Sequence, residues 1–391
     1  MSEYNFDEII DRSGTGAIKY DLRREVFGTD DVIPMWVADM DFRTPGFILE
    51  AIRQRTDHEI LGYTKRSEGF FQSIIDWFKG RQNWDIDRSW IVFCPGIVPA
   101  LSLAIRAFTS PGDKVIIQPP VYHPFSTVIT GNQRVIVNNP LKLIDGRYYM
   151  DLRNLEKQLD EKVKLMLISN PHNPVGRIWT TDELSELASI CLEHNITIIS
   201  DEIHSDIIMH GKKYVPLAAI SPACSEITAT CIAPSKTFNI AGLSTSAVVI
   251  SSKDRRDLFS REIETGHLWL GNIFGNIALE AAYKNGDEWV DQLNRYIFEN
   301  FEFLDSYLKQ YIPEIKLILP DATYLAWLDM RQLNLDDGEL REFMIHKAGI
   351  GCNSGISFGV GGEGFMRMNI GCPRKVLEKA LDQLNKAVNN L

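Results

Sequence analysis

From about Pro95 onward the chain alternates short apolar runs with amphipathic stretches, and this alternation restricts the architecture more than any other feature. VPALSLAIRAF reads as a helix, KVIIQ and VKLMLIS as strands, TTDELSELASICLEH as a helix and ITIIS as a strand. Thr180 and Thr181 ahead of DELSEL supply the capping oxygen and acidic first turn of a helix start. The pattern predicts an α/β fold, with a large domain whose mostly parallel sheet is covered by helices on both faces. After Gly286 it changes to one long helical stretch, EWVDQLNRYIFENFEFLDSYLKQYI. Two apolar runs follow, EIKLILP and TYLAWLDM, then a helix near DGELREFMIHKAG and a last helix, PRKVLEKALDQLNKAVNNL. That order predicts a smaller α+β domain. The expected divisions are an N-terminal arm over 1–45 that packs with the small domain, the large domain over 46–285 and the small domain over 286–391.

Ligands of open α/β sheets gather beyond the carboxyl ends of the strands. Three apolar runs are followed there by chemistry-bearing residues: NPHNPVG after VKLMLIS, DEIH after ITIIS, and PSK after TCIA. An amide, a carboxylate and a lysine are thus delivered to one edge. Lysine amines form Schiff bases with carbonyl compounds, and partial desolvation favours the unprotonated amine that this requires. Lys236 fits that role; the ordinary alternative is a strand-end lysine that snorkels to solvent. Pyridoxal phosphate serves as an electron sink while its ring nitrogen stays protonated, and a carboxylate beside that nitrogen keeps it so. Asp201 is placed either to supply it or to cap the next helix. PGIVPAL sets a glycine turn at the start of an apolar helix, where the free amides of Ile97 and Val98 favour an anion such as a phosphate.

Composition narrows the setting. Lys and Arg number 41 against 52 Asp and Glu, a formal charge of -11 with no long single-sign run, so the acidity reads as solvated surface and nucleic acid is excluded as a partner. Six cysteines are scattered without C-x-x-C spacing, which predicts core thiols in a reducing compartment and no zinc site. The first thirty residues hold no leader-like apolar run, and nowhere do about 18 apolar residues run together. A cytoplasmic location with no membrane segment is expected.

The motifs PMWVADMDFRTP, LGYTKRSEGF, CPGIVPAL, PPVYHPF, SNPHNPVG, SDEIH, APSKTFNIAGL and FMRMNIG stand in one order along nearly the whole chain. In that order the chain resembles the fold-type I pyridoxal phosphate enzymes, which include the class I/II aminotransferases. The resemblance implies that Lys236 is the Schiff-base lysine and proton carrier, that Asp201 pairs with the ring nitrogen, and that Asn173 donates to the cofactor's phenolic oxygen. Tyr122 would stack on the ring, and Arg367 would grip the substrate's α-carboxylate. Tyr63 corresponds to the tyrosine that reaches the phosphate of the neighbouring subunit, which implies a homodimer with shared active sites. Trp36, Val37 and Ala38 resemble the arm that closes over substrate, with Trp36 as an apolar lid or a core residue.

Departures from the family pattern are informative. Ala233 and Ser244 stand where many aminotransferases place a serine and an arginine on the phosphate, which leaves hydroxyls such as Ser235 and Ser244. His204 stands where a tyrosine usually bonds the phenolic oxygen, and is otherwise a solvent-facing residue of the next turn. No motif assigns a second arginine for a distal carboxylate. GVGGEG, 359–364, lacks the βαβ context of a dinucleotide loop and reads as a mobile loop leading into Arg367. These features look like the cystathionine β-lyase or carbon–sulfur lyase branch. An aminotransferase and a cofactor-binding regulatory protein are the alternatives, because the lysine base serves elimination and transamination alike.

Overall fold

Seven strands make up the central sheet: β1 (Ile91–Cys94), β2 (Lys114–Ile117), β3 (Val135–Asn138), β4 (Val163–Ser169), β5 (Thr197–Asp201), β6 (Thr228–Ile232) and β7 (Ser246–Ile250). The structure is a computed structural model and describes residues 4–391. Across the sheet the order is β1-β7-β6-β5-β4-β2-β3, with β7 antiparallel to both neighbours and every other pair parallel. Parallel neighbours need crossovers, and the crossover helices cover both faces of the sheet.

The uninterrupted apolar run of β4 follows from that double cover. Leu165 and Leu167 face a core shared with Ala100, Leu101 and Ala104 of α1 (Ile97–Phe108). Met166 and Ile168 face a second core shared with Leu184, Leu187, Ala188 and Cys191 of α2 (Thr181–Glu193). Those four α2 positions recur at helical spacing, so one face is buried and the other left to solvent. The start of α2 is a capping box: Glu183 N donates to Thr180 Oγ1 at 3.1 Å and Thr180 N to Glu183 Oε2 at 2.8 Å. Caps of this kind contribute about 1 kcal/mol. On the same side of the sheet as α1 lies α3 (Lys253–Thr265), anchored by Phe259 and Ile263.

A second, smaller sheet is antiparallel throughout. It is built from β8 (Lys316–Ile318), β9 (Leu325–Asp329), β10 (Asn353–Ser354) and β11 (Phe365–Asn369), in the order β8-β9-β11-β10. The long α4 (Asp287–Tyr311) and the last helix α5 (Arg374–Val388) pack in its core through Leu304, Leu308, Leu377, Leu381 and Leu384. The expected helix near 337–349 divides into Asp337–Glu342 and a π-helical turn over Phe343–Lys347. Among the described residues no helix is long and apolar enough to cross a membrane.

An extended strap joins the two sheets. Ile33–Pro34 pairs in parallel with Ile350–Gly351, and beyond Met35 the strap has no strand beside it. Backbone polar groups of buried extended chain need partners, and here two asparagines supply them. Asn369 Nδ2 donates to Val37 O (2.6 Å) and Asp39 O (2.7 Å), and Asn239 Nδ2 to Met40 O (2.9 Å) and Phe42 O (2.8 Å).

Candidate active site

The carboxyl ends of β4, β5 and β6 lie side by side, with Ser169 paired to Asp201 and Asp201 to Cys231. β1 ends at the same edge, because Cys94 pairs with Ser246 at the start of β7. A cavity of about 240 Å³ opens there. Its wall brings together Ala38, Ile97, Val98, Tyr122, Asn173, Asp201, His204, Ser235 and Lys236 from six separate stretches of sequence.

Lys236 follows β6 on a turn, and its Nζ donates to Ala38 O at 2.6 Å inside the cavity. Burial lowers its pKa to about 8, with Arg367 pushing the same way and Asp39 and Asp201 opposing. The free amine is therefore far better populated at neutral pH than on an ordinary lysine. Asp201 is buried, and burial pushes its carboxyl up to about 6 against the Ile203 amide and Lys236. It makes no ion pair among the described residues; its hydrogen bond comes from Ile203 N at 3.3 Å. His204 is also buried, and burial drives its pKa down to about 3, so the ring is neutral. Its Nδ1 has no hydrogen-bond partner and its ring lies 5.8 Å from Tyr324.

Arg367, on β11, is 3% exposed and meets only neutral acceptors: Asn173 Oδ1 (3.0 Å), Trp36 O (2.8 Å) and Asn353 Oδ1 (2.7 Å). Its Nε has no partner and its guanidinium lies 4.9 Å from the Phe358 ring. Burial alone lowers its pKa to about 10. A buried cation without a carboxylate is unbalanced until an anion joins it. Arginine has only donors, so Asn173 must turn its oxygen to it, which leaves Asn173 Nδ2 free for another acceptor. The Asn173 backbone is fixed in turn by a 3.1 Å bond from its N–H to Ser169 Oγ.

Another part of the cavity wall is built for an anion without cations. The N-cap of α1 is Gly96, held at φ 140° and with no side chain to cap the first turn. Pro99 has no N–H and Ala100 N bonds to Gly96 O at 3.1 Å, which leaves Ile97 and Val98 as the free first-turn donors. Thr245 Oγ1 is buried on the same wall with no partner, and the hydroxyl-bearing Ser235 and Ser244 also line it. Apart from Lys236, no lysine or arginine is on that wall.

Three expected residues are not on the cavity wall: Arg367, which adjoins it through Asn173, Tyr63 and Trp36. Tyr63 is 96% exposed in this chain, on the irregular stretch before Ser67. Trp36 does not form an apolar lid: its indole packs on Phe27 at 5.7 Å and its Nε1 donates to Lys19 O at 3.0 Å, so it offers the site only its carbonyl. The GVGGEG loop does lead into β11, and the turn before it is tied down by Val121 N donating to Phe358 O at 2.8 Å. Sequence reasoning missed Ile203, Ser169, Thr245 and Tyr324. Ile203 was within reach, since it stands two residues from Asp201 and borders the same cavity.

These groups fit pyridoxal phosphate part by part: free amides and an unpartnered hydroxyl for a phosphate, an unpaired acid for a ring nitrogen, and an amine for an aldehyde. The sequence matches the profile described as "Aminotransferase class I and II" over residues 30–384. The chain belongs to this family. Among class I and II aminotransferase relatives, it is 44% identical to "Cystathionine beta-lyase PatB" of Bacillus subtilis (strain 168), over 98% of this chain and 100% of that one. Cystalysin from Treponema denticola, solved with pyridoxal 5'-phosphate, superposes with a TM-score of 0.97 at 38% identity, covering 100% of each chain. The PLP-bound C-S lyase from Staphylococcus hominis superposes with a TM-score of 0.93 at 35% identity, covering 99% of this chain and 98% of that one.

Proposed function

We propose that this protein is a pyridoxal phosphate-dependent carbon–sulfur β-lyase that acts on cystathionine or cysteine S-conjugates and releases a thiol, pyruvate and ammonia. The observation that carries the reading is one cavity in which a buried lysine amine, an unpaired buried acid and free first-turn amides converge, with an arginine lacking any acidic partner adjoining it through Asn173. The reaction type rests on the full-length relatives named as cystathionine β-lyase and C-S lyase.

Pyridoxal phosphate, when bound, supplies an electron sink that lets a proton leave the carbon bearing the amino group. Lys236 Nζ would hold its aldehyde and, as a free amine, would take that proton. The same Nζ then carries the proton that the departing sulfur needs. Asp201 would keep a proton on the ring nitrogen, and Asn173 Nδ2 would donate to the phenolic oxygen. Tyr122 and Ile203 supply apolar surface for the ring. Ile97, Val98, Ser235 and Thr245 would hold the phosphate, and neutral His204 has an unpartnered ring nitrogen available to the cofactor. Arg367 binds the substrate carboxylate, its unpartnered Nε included. With cystathionine the balance is substrate plus water giving homocysteine, pyruvate and ammonia. The absence of a further cation on the cavity wall argues against a dicarboxylate-specific aminotransferase.

Ile60, Leu61 and Tyr63 are 69%, 57% and 96% exposed in one stretch, which supports a homodimer whose Tyr63 reaches the partner's phosphate site. The six cysteines, all buried and free, support a cytoplasmic setting. We read the chain as an arm over 1–45, a large domain over 46–285 and a small domain over 286–391, supported by the two sheets and the Ile33–Pro34 pairing; the arm's first three residues lie outside the described ones.

The test is incubation with cystathionine and pyridoxal phosphate without any keto acid. Thiol and pyruvate should appear together. Turnover that requires a keto acid would identify an aminotransferase, and a protein that binds the cofactor yet turns over no amino acid would be a binding protein.

A further inference from the structure

One backbone oxygen in the cavity is shared by two donors. Ala38 O accepts from Lys236 Nζ at 2.6 Å and from Tyr324 OH at 2.8 Å. Tyr324 is fully buried, immediately before β9, and its own carbonyl accepts from Ile370 N at 2.9 Å just beyond the strand that carries Arg367. Neither the motifs nor the chemistry proposed above uses it.

We infer that Tyr324 is a positioning residue for the Lys236 amine, its hydroxyl occupying one side of the Ala38 carbonyl so that this oxygen orients the amine without capturing it as an ammonium. The inference rests on Lys236 being the reactive amine. A carbonyl oxygen has two lone pairs and only accepts, so alone it favours the charged donor of a lysine over the neutral one. A phenol donating to the same oxygen draws density from it and weakens that preference. The other groups around the amine are fixed: Asp39 and Asp201 favour its charge, Arg367 opposes it, and His204 and Tyr122 are neutral neighbours. Tyr324 is the member of this set that acts through the acceptor itself.

The test needs neither cofactor nor substrate. In the cofactor-free full chain, competitive acetylation of Lys236 across pH, read by peptide mass spectrometry, gives the midpoint at which the amine becomes reactive. Tyr324→Phe keeps the ring and removes the hydroxyl, and its midpoint should rise by about half a unit or more, about threefold less free amine at neutral pH. A 3-fluorotyrosine placed at position 324, a stronger donor, should move the midpoint the other way. A purely structural role would shift both variants alike or neither, and that result overturns the inference, as does an unchanged or lowered midpoint in a Tyr324→Phe protein whose melting curve is intact. If Tyr324→Phe fails to fold, the direction of the fluorotyrosine shift decides alone. Pyridoxal phosphate added to the wild type is the separate arm: no visible lysine-dependent absorbance there would sink the proposed function while leaving the amine titration standing.

Discussion

Lys236 is a charge that the fold accepts reluctantly, and the sign of that reluctance is measurable. Its pKa is about 8 in the folded chain against 10.5 for an ordinary lysine, so below about pH 8 both states are protonated and the penalty for the buried ammonium is complete. Between about pH 8 and 10.5 the unfolded chain holds more protons, so stability rises with pH in that window. Lys236→Met in the cofactor-free protein should therefore be more stable than the wild type at pH 7, by on the order of 3 kcal/mol, with the gap closing toward pH 10 in urea melts. The same substitution should lower β-elimination by at least about 100-fold, measured as pyruvate release. Thr245 makes an equally sharp case. Its buried hydroxyl has no partner, so Thr245→Val should leave the cofactor-free protein as stable or more so, yet weaken pyridoxal phosphate binding about tenfold, measured by fluorescence titration. Stability and affinity moving in opposite directions separate a binding group from a packing one.

At the scale of elements, the N-terminus of α1 shows what can be read from sequence and what cannot. Gly96, the apolar helix and the missing cap were visible in PGIVPAL, as was the capping box of α2 in TTDELSEL. The part played by Pro99 is a local rule too: a residue without an N–H at the third position trims the free donors to Ile97 and Val98. Gly96→Ala meets only the Pro99 ring, Cδ at 3.5 Å and Cγ at 3.8 Å, but φ 140° strains any side-chain-bearing residue there. It should weaken cofactor affinity about tenfold while melting within a few degrees of the wild type. By contrast, Tyr324, Thr245, Asn239 and Asn369 carried no signal, because each acts through a partner more than thirty residues away or through the lack of one. For Trp36 the sequence left lid and core residue open, and the structure gives the packed alternative: its indole is claimed by Lys19 and Phe27, which no local pattern announces.

For the whole molecule, β4, β5 and β6 were legible because burial on both faces writes a continuous apolar run, and their polar successors marked the edge where the cavity opens. What one chain leaves open is the place of Tyr63, which stands exposed outside its own cavity. If each active site takes Tyr63 from the other subunit, mixing Tyr63→Ala with Lys236→Ala chains makes heterodimers with one intact site. Random exchange should then restore about a quarter of wild-type activity at limiting cofactor, whereas sites completed within one chain should restore none. The strap from Met35 to Phe42 adds a mechanical consequence. Asn369, two residues from the arginine, and Asn239, three residues from the lysine, are fastened to the same taut length of backbone. If Arg367 grips the substrate's acid group as proposed, a displacement there has a short bonded route to the amine of Lys236, through Asn369, a few peptide units and Asn239.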